Sequence, residues 1–127
     1  MTILKSISTD KAPGAAGPYS QGIRLGDLIF VSGQIPIDPI TGKMVDGDIG
    51  EQTARVLQNV SAVLEAAGSS LDCVVKTTVY LADLGSFGEM NKIYAKSFGE
   101  HRPTRATVEV GLPAGVAIEI DAIAVPE

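Results

Sequence analysis

At 127 residues the chain has room for one compact domain, and 45% hydrophobic with 20% charged residues is an ordinary globular balance. A formal net charge of −5, with no run of Lys and Arg, excludes a broad phosphate-binding surface and argues against nucleic acid as a partner. Cys73 is the single cysteine and His101 the single histidine, which excludes an internal disulfide and leaves too few ligands for a zinc site within one chain.

The N-terminal MTILKSISTD lacks the apolar run of a signal peptide, and no stretch approaches the ~20 apolar residues that cross a bilayer. The expectation is a cytoplasmic protein without a membrane partner, folded as a single domain over residues 1–127. An edge strand is expected near Ile3 to Ser8, followed by a Gly/Pro-rich loop from Ala12 to Gly17. Residues Gly22 to Ser32 read as a hairpin turning at Gly26-Asp27, with Leu28 to Val31 strongly apolar and Gly33 ending the strand. Residues 35–47 carry two prolines and read as a long irregular loop whose Ile35, Ile37 and Ile40 must cover something or meet a partner.

Asp48 to Ala67 is the clearest helix. Asp48 and Glu51 have capping-box spacing, and Val56, Leu57, Val60, Val63 and Leu64 recur at helical intervals. Gln52, Arg55, Gln58, Asn59 and Glu65 are assigned to its opposite, polar face, and Gly68 is its natural stop. Leu71 to Leu81 reads as a strand with Val75, Thr77, Val79 and Leu81 on one face and Val74, Lys76, Thr78 and Tyr80 on the other. A second helix starts at Ser86, taken as its cap. It packs through Phe87, Met90, Ile93, Tyr94 and Phe98, and ends at Gly99. Both helices are expected on one face of a mixed sheet, an α+β arrangement. The other face, on which Thr107 and Val74 are placed, then needs cover, and a second subunit would supply it.

The last two strands, Arg105 to Val110 and Val116 to Ile123, read as a hairpin about Pro113. Arg105, Thr107 and Glu109 alternate to one face of the first, and Ala117, Glu119 and Asp121 to one face of the second. In that register Thr107 opposes Glu119, Arg105 opposes Asp121, and Arg105 and Glu119 are diagonal neighbours. Two uses of these charges are open. Arg105 forms a structural ion pair with Asp121 or Glu119, or its planar fork clamps a carboxylate while Glu119 handles water or a proton.

Long, ordered blocks carry a resemblance over nearly the whole chain. They are GPYSQG (Gly17–Gly22), FVSGQIPIDPITG (Phe30–Gly42) and EQTARVLQNVSAVLEAAGSSLDCVVKTTVYL (Glu51–Leu81), then NKIYAKSFGEHRPTRATVEV from Asn91 and LPAGVAIEIDAIA from Leu112. On these the chain resembles the Rid (reactive intermediate deaminase) family of 2-iminobutanoate/2-iminopropanoate deaminases, formerly labelled endoribonuclease L-PSP. The resemblance implies a chorismate-mutase-like α+β fold, a homotrimer with sheets inward and helices outward, and active sites between subunits. It implies hydrolysis of enamine/imine intermediates derived from 2-aminoacrylate and 2-aminocrotonate to 2-oxo acids and ammonia, with no cofactor and no metal.

Carried onto this sequence, the resemblance makes Arg105 the carboxylate clamp and Glu119 the residue that positions or activates water. Tyr19, Ser32, Gly33, Asn91 and Thr107 become substrate-binding positions. From the residues alone Tyr19 equally anchors a loop, Ser32 reads rather as a strand stop, and Asn91 equally faces solvent. His101 reads as loop packing, and Cys73 as a small buried hydrophobe. Two features depart from the family pattern. Thr107 stands where many deaminating members carry Cys, and the turn at Gly111 to Gly115 is one residue shorter than a common form. Two other functions are weighed against the enzyme: a non-catalytic 2-oxo-acid or carboxylate sensor, and a ribonuclease.

Overall fold

A computed structural model describes residues 3–127. In chain order the elements are β1 (Leu4–Ile7), β2 (Gly22–Leu25), β3 (Leu28–Gln34), α1 (Ile49–Ala66), β4 (Val74–Leu81), α2 (Phe87–Phe98), β5 (Thr104–Glu109) and β6 (Ile118–Ala124). They form one six-stranded sheet in the order β1-β2-β3-β6-β4-β5. All neighbours are antiparallel except β4 and β5, which run parallel with α2 as their crossover. Both helices pack on the same face, as the apolar spacing predicts, and the fold is α+β.

The main correction concerns the chain's end. β5 and β6 do not pair: β4 lies between them. The reason is visible in their burial. In β6, Ile118, Ile120, Ala122 and Ala124 are all buried, so this strand belongs at the sheet's centre, whereas every residue of β5 is partly or fully exposed, as on an edge. A hairpin would have put β6 beside the edge and left its apolar side half covered.

Smaller corrections share a local cause. A bulge between Val74 and Lys76 turns Val74 into the core and Val75 outward, reversing their expected faces, while Thr77, Val79 and Leu81 point inward as expected. Thr107 also lies on the helix side of the sheet, in register with buried Val79. The stretch Leu71–Cys73 is a short 3-10 turn ahead of β4, and Cys73 is half-buried there. Gly33 does not end β3 but lies within it, where the register against β6 shifts between Val31 and Gln34. Ser86 makes no capping bond; Asp83 accepts from the Gly85 N–H and starts the 3-10 turn that leads into α2. Asp48 does cap α1, accepting from the Glu51 N–H at 2.9 Å, and Gly68 (φ +79°) and Gly99 (φ +65°) follow the two helices in the left-handed region that glycine tolerates.

Gln52 and Asn59 lie on the buried side of α1, not in solvent. Each ties down a loop. The Asn59 amide donates to the carbonyls of Ile35 and Ile37, at 3.2 and 2.9 Å, and so fixes the irregular segment 35–47. Gln52 donates to the Gly115 carbonyl at 3.0 Å and accepts from the Ala117 N–H at 2.8 Å, fixing the connection into β6. Ile40, at the tip of the first loop, is 92% exposed. The sheet face away from the helices is uncovered and carries Leu28, Phe30 and Val108 as exposed apolar residues. Among the described residues no helix is long and apolar enough to cross a membrane.

Candidate active site

The register decides where the two charges go. Arg105 pairs with Thr77 on one side of β4, and Glu119 pairs with Tyr80 on the other. Thr77 is fully buried under α2, so Arg105 lies on the helix side. Tyr80 is three residues on, an odd step, so Glu119 lies on the open side. The two backbones are roughly 10 Å apart across the strands and a further roughly 10 Å along them. Within one chain Arg105 and Glu119 are neither diagonal neighbours nor on one face.

The sequence-derived site residues divide accordingly. A recess of about 390 Å³ is lined by Asn91, Tyr94, Ala95, Arg102, Pro103 and Arg105. Nη1 of Arg105 donates to Asn91 Oδ1 at 2.8 Å, and its guanidinium carbon lies 5.4 Å from the Phe87 ring centre and 4.8 Å from that of Tyr94. These are cation–π distances. Phe87, Asn91 and Tyr94 recur at helical spacing, so one stripe of α2 builds the seat. Among the described residues Arg105 makes no ion pair, the pairing with Asp121 or Glu119 is not formed, and the one ion pair is Lys92–Glu89. Thr107, two residues on along the same face, has a buried hydroxyl without a hydrogen-bond partner.

A second recess, of about 430 Å³, holds Tyr19, Ser32, Gly33, Ile35, Pro113 and Glu119. Glu119 reaches over Gly33 so closely that a Cβ there would lie 2.9 Å from its carboxyl carbon and would collide with an oxygen. Burial, and then the negative charge of Asp121, push the Glu119 carboxyl above the usual carboxylate range. Asp121 accepts the Tyr80 hydroxyl at 2.9 Å. The Ser32 hydroxyl donates to the Ser20 carbonyl at 2.6 Å, which commits its proton and leaves its lone pairs for a ligand N–H. Tyr19 is 52% exposed, with the Ala16 N–H on its hydroxyl at 3.4 Å.

Side chains outside the expected set hold this second recess. Buried Gln21 accepts from the Thr9 N–H at 2.7 Å and donates to the carbonyls of Thr9 and Pro13, at 3.0 and 2.7 Å, pinning the loop that precedes Tyr19. Gln21 reads as part of the GPYSQG block and Tyr94 as core packing, and a polar residue inside an otherwise apolar stripe is the signal that finds Gln52 and Asn59. His101 behaves as loop packing, its Nε2 donating to the Val74 carbonyl at 2.7 Å.

One chain thus presents a cationic recess and a carboxylate recess on opposite faces of its sheet. Residues 9–126 match the family model described as Endoribonuclease L-PSP. A RutC family protein of Pyrococcus abyssi is 58% identical over 122 residues, covering 95% of this chain and 96% of its own length. The human 2-iminobutanoate/2-iminopropanoate deaminase is 46% identical over 124 residues, covering 97% of this chain and 90% of its own. The crystal structure of Escherichia coli TdcF with bound serine superposes with a TM-score of 0.91 at 46% identity, covering 97% of this chain and 99% of that one. The chain belongs to the Rid/RutC family of endoribonuclease L-PSP-like proteins.

Proposed function

We propose that the protein is a 2-iminobutanoate/2-iminopropanoate deaminase that works as a homotrimer of chorismate-mutase-like architecture. In each site the Arg105 recess of one subunit meets the Glu119 recess of the next. The observation that carries the composite site is the split itself: the cation and the carboxylate occupy opposite faces of one sheet. The uncovered face with Leu28, Phe30 and Val108 supports a subunit contact there. The activity of the human relative supports the reaction.

The chemistry follows from the two halves. Arg105 binds the substrate carboxylate with charge-assisted bonds, its face supported by the Phe87 and Tyr94 rings. The imine nitrogen donates to the free lone pairs of Ser32. Glu119 takes a proton from water as the water oxygen bonds to C2, giving a carbinolamine. The proton passes from Glu119 to the nitrogen; as the C–N bond breaks, Glu119 takes the carbinolamine hydroxyl proton and hands it to the departing ammonia, leaving the 2-oxo acid. Thr107 lies two residues from Arg105 on the same face of β5, with its hydroxyl buried and outside the residues that line the recess, so it shapes the wall rather than touching substrate. An iminium carbon is already electrophilic, so positioning and electrostatics are sufficient levers.

The test generates 2-aminoacrylate and 2-aminocrotonate in situ and follows imine decay above the spontaneous rate. R105A and E119A should each abolish the acceleration. Refolded together in equal amounts, they should regain activity in about one quarter of the sites of randomly assembled rings. No regain refutes the composite site. If E119A hydrolyses the imine as fast as the parent, or the parent adds nothing, the protein is a carboxylate binder. The family description also names a ribonuclease. A chain of net charge −5 without a basic run lacks the surface that reaction needs. RNA cleavage that survives R105A would restore that reading.

A further inference from the structure

The guanidinium of Arg105 is held by more than the Asn91 bond. Phe87 and Tyr94 lie seven residues apart on α2, about 10.5 Å along its axis. The guanidinium carbon lies 5.4 Å from the first ring and 4.8 Å from the second, so it sits between them, with Asn91 in the same stripe. The two rings differ in how they are fixed. Phe87 is 38% exposed. Tyr94 is 6% exposed, packs against the Phe98 ring with centres 4.6 Å apart, and shares a 2.7 Å hydrogen bond between its hydroxyl and that of fully buried Thr77.

Thr77 is also the register partner of Arg105 across β4 and β5. The contacts therefore close a ring: Arg105 to Thr77 through the sheet, Thr77 to Tyr94 through the hydroxyl bond, and Tyr94 back to the guanidinium through its π face. Of the two aromatic supports, Tyr94 alone is locked to the strand pair that carries the arginine. A buried hydroxyl pair is costly to retain in a core where Phe and Val would pack equally well.

We propose that Tyr94, through its hydroxyl bond to Thr77, is a positioning residue that presents the Arg105 guanidinium to the substrate carboxylate. This rests on the reading above that Arg105 binds a carboxylate, but not on turnover. Without the hydroxyl bond the phenyl ring still fills its space, while nothing registers it against the strands. Arginine then samples more orientations, and a bidentate carboxylate loses more than a point-charge contact would.

The variant to make is Y94F/T77V, which removes both partners and leaves no orphaned hydroxyl, so its melting temperature should stay near the parent's. The probe is 2-oxobutanoate, titrated calorimetrically against the parent, Y94F/T77V, R105K and the combination of all three substitutions. We expect affinity to fall about three- to tenfold in Y94F/T77V. KM for 2-iminobutanoate generated in situ should rise by more than kcat falls. In the R105K background the same two substitutions should change affinity less than about twofold, because a lysine ammonium has no fork to orient.

Parent-like binding by Y94F/T77V overturns the proposal. So does an equal loss in the R105K background, which marks a general structural effect. R105-independent binding by the parent also overturns it. Should Y94F/T77V fail to fold, Y94F alone makes the same comparison. A parent that binds 2-oxobutanoate through Arg105 but does not hydrolyse imines refutes the deaminase reading and leaves this one standing.

Discussion

The two recesses are built from different materials. The Arg105 recess is made by an edge strand and one stripe of α2, and its polar partner comes from that helix at regular spacing. The Glu119 recess is made by a strand bulge and three loops, held by buried amides whose bonds run to carbonyls far away in sequence. The first orients a planar guanidinium fork. The second holds a carboxylate under tension, desolvated and close to Asp121. The proposed function places recognition on rigid secondary structure, and proton chemistry on a site tuned by burial. If this division is right, changes to the first recess act on substrate affinity, and changes to the second act on kcat and on its pH dependence.

The sharpest test of the first half is R105K. Lysine keeps the charge but loses the planar fork, the bond to Asn91 as it stands and the match to two ring faces. We expect kcat/KM to fall by about 10²-fold, carried mainly by KM. An equal fall in kcat with KM unchanged would mean that Arg105 acts only in the transition state.

Removing the tether of the second recess should come next. Gln52 holds Gly115 and Ala117, and through them the connection that carries Pro113 beside Glu119. Q52A leaves the Ala117 N–H and the Gly115 carbonyl without partners. It should cost about 1–3 kcal/mol in chemical denaturation. It should lower kcat more than it raises KM. A pure stability loss with unchanged kinetics would show that this connection does not position Glu119.

That tether explains what could and could not be read from the sequence. Periodicity located both helices, and alternation placed Arg105 and Thr107 together and Glu119 with Asp121, because those patterns are local. Strand neighbours are not local. Pairing β5 with β6 followed from their nearness in sequence. The winning arrangement was fixed by the apolar demand of Ile118 and Ile120 for a central place, which only a count of buried positions over all strands reveals. Gln52 and Asn59 depart from the expected polar face for a related reason. A helical stripe is assigned by hydrophobicity, whereas an amide that closes a loop is buried for its hydrogen bonds. The family resemblance proposes site residues but not their division between faces, which needs the register.

Gly33→Ala probes how closely Glu119 must lie to the strand. The new methyl would meet the carboxylate end of a side chain, so the fold should survive and Glu119 should swing away. A displacement of this size should lower kcat on the order of tenfold, with 2-oxobutanoate affinity nearly unchanged. An unchanged kcat would show that the carboxylate does not need its place over Gly33.

The smallest expected effect discriminates best, because it has opposite signs for stability and activity. The folded-state pKa of Glu119 is raised, first by burial and then by Asp121. A raised pKa means that ionising Glu119 costs more in the folded chain than in the unfolded one. The stability associated with its neutral form is fully present below the ordinary carboxylate range and is lost as pH rises through the raised value. Above that raised value the parent holds a strained carboxylate, and E119Q, which is neutral at every pH, should melt slightly higher there. The difference should shrink as pH falls and vanish below pH ~4, where the parent's glutamate is protonated as well. Activity runs the other way. As a base Glu119 must be ionised, so kcat should fall as pH drops through the same raised value, and E119Q should have no acid limb because it has no activity to lose. If E119Q melts lower than the parent above the raised value, the carboxylate is held by favourable contacts rather than under strain. The contrast between a rigid recognition half and a strained chemical half would then be wrong.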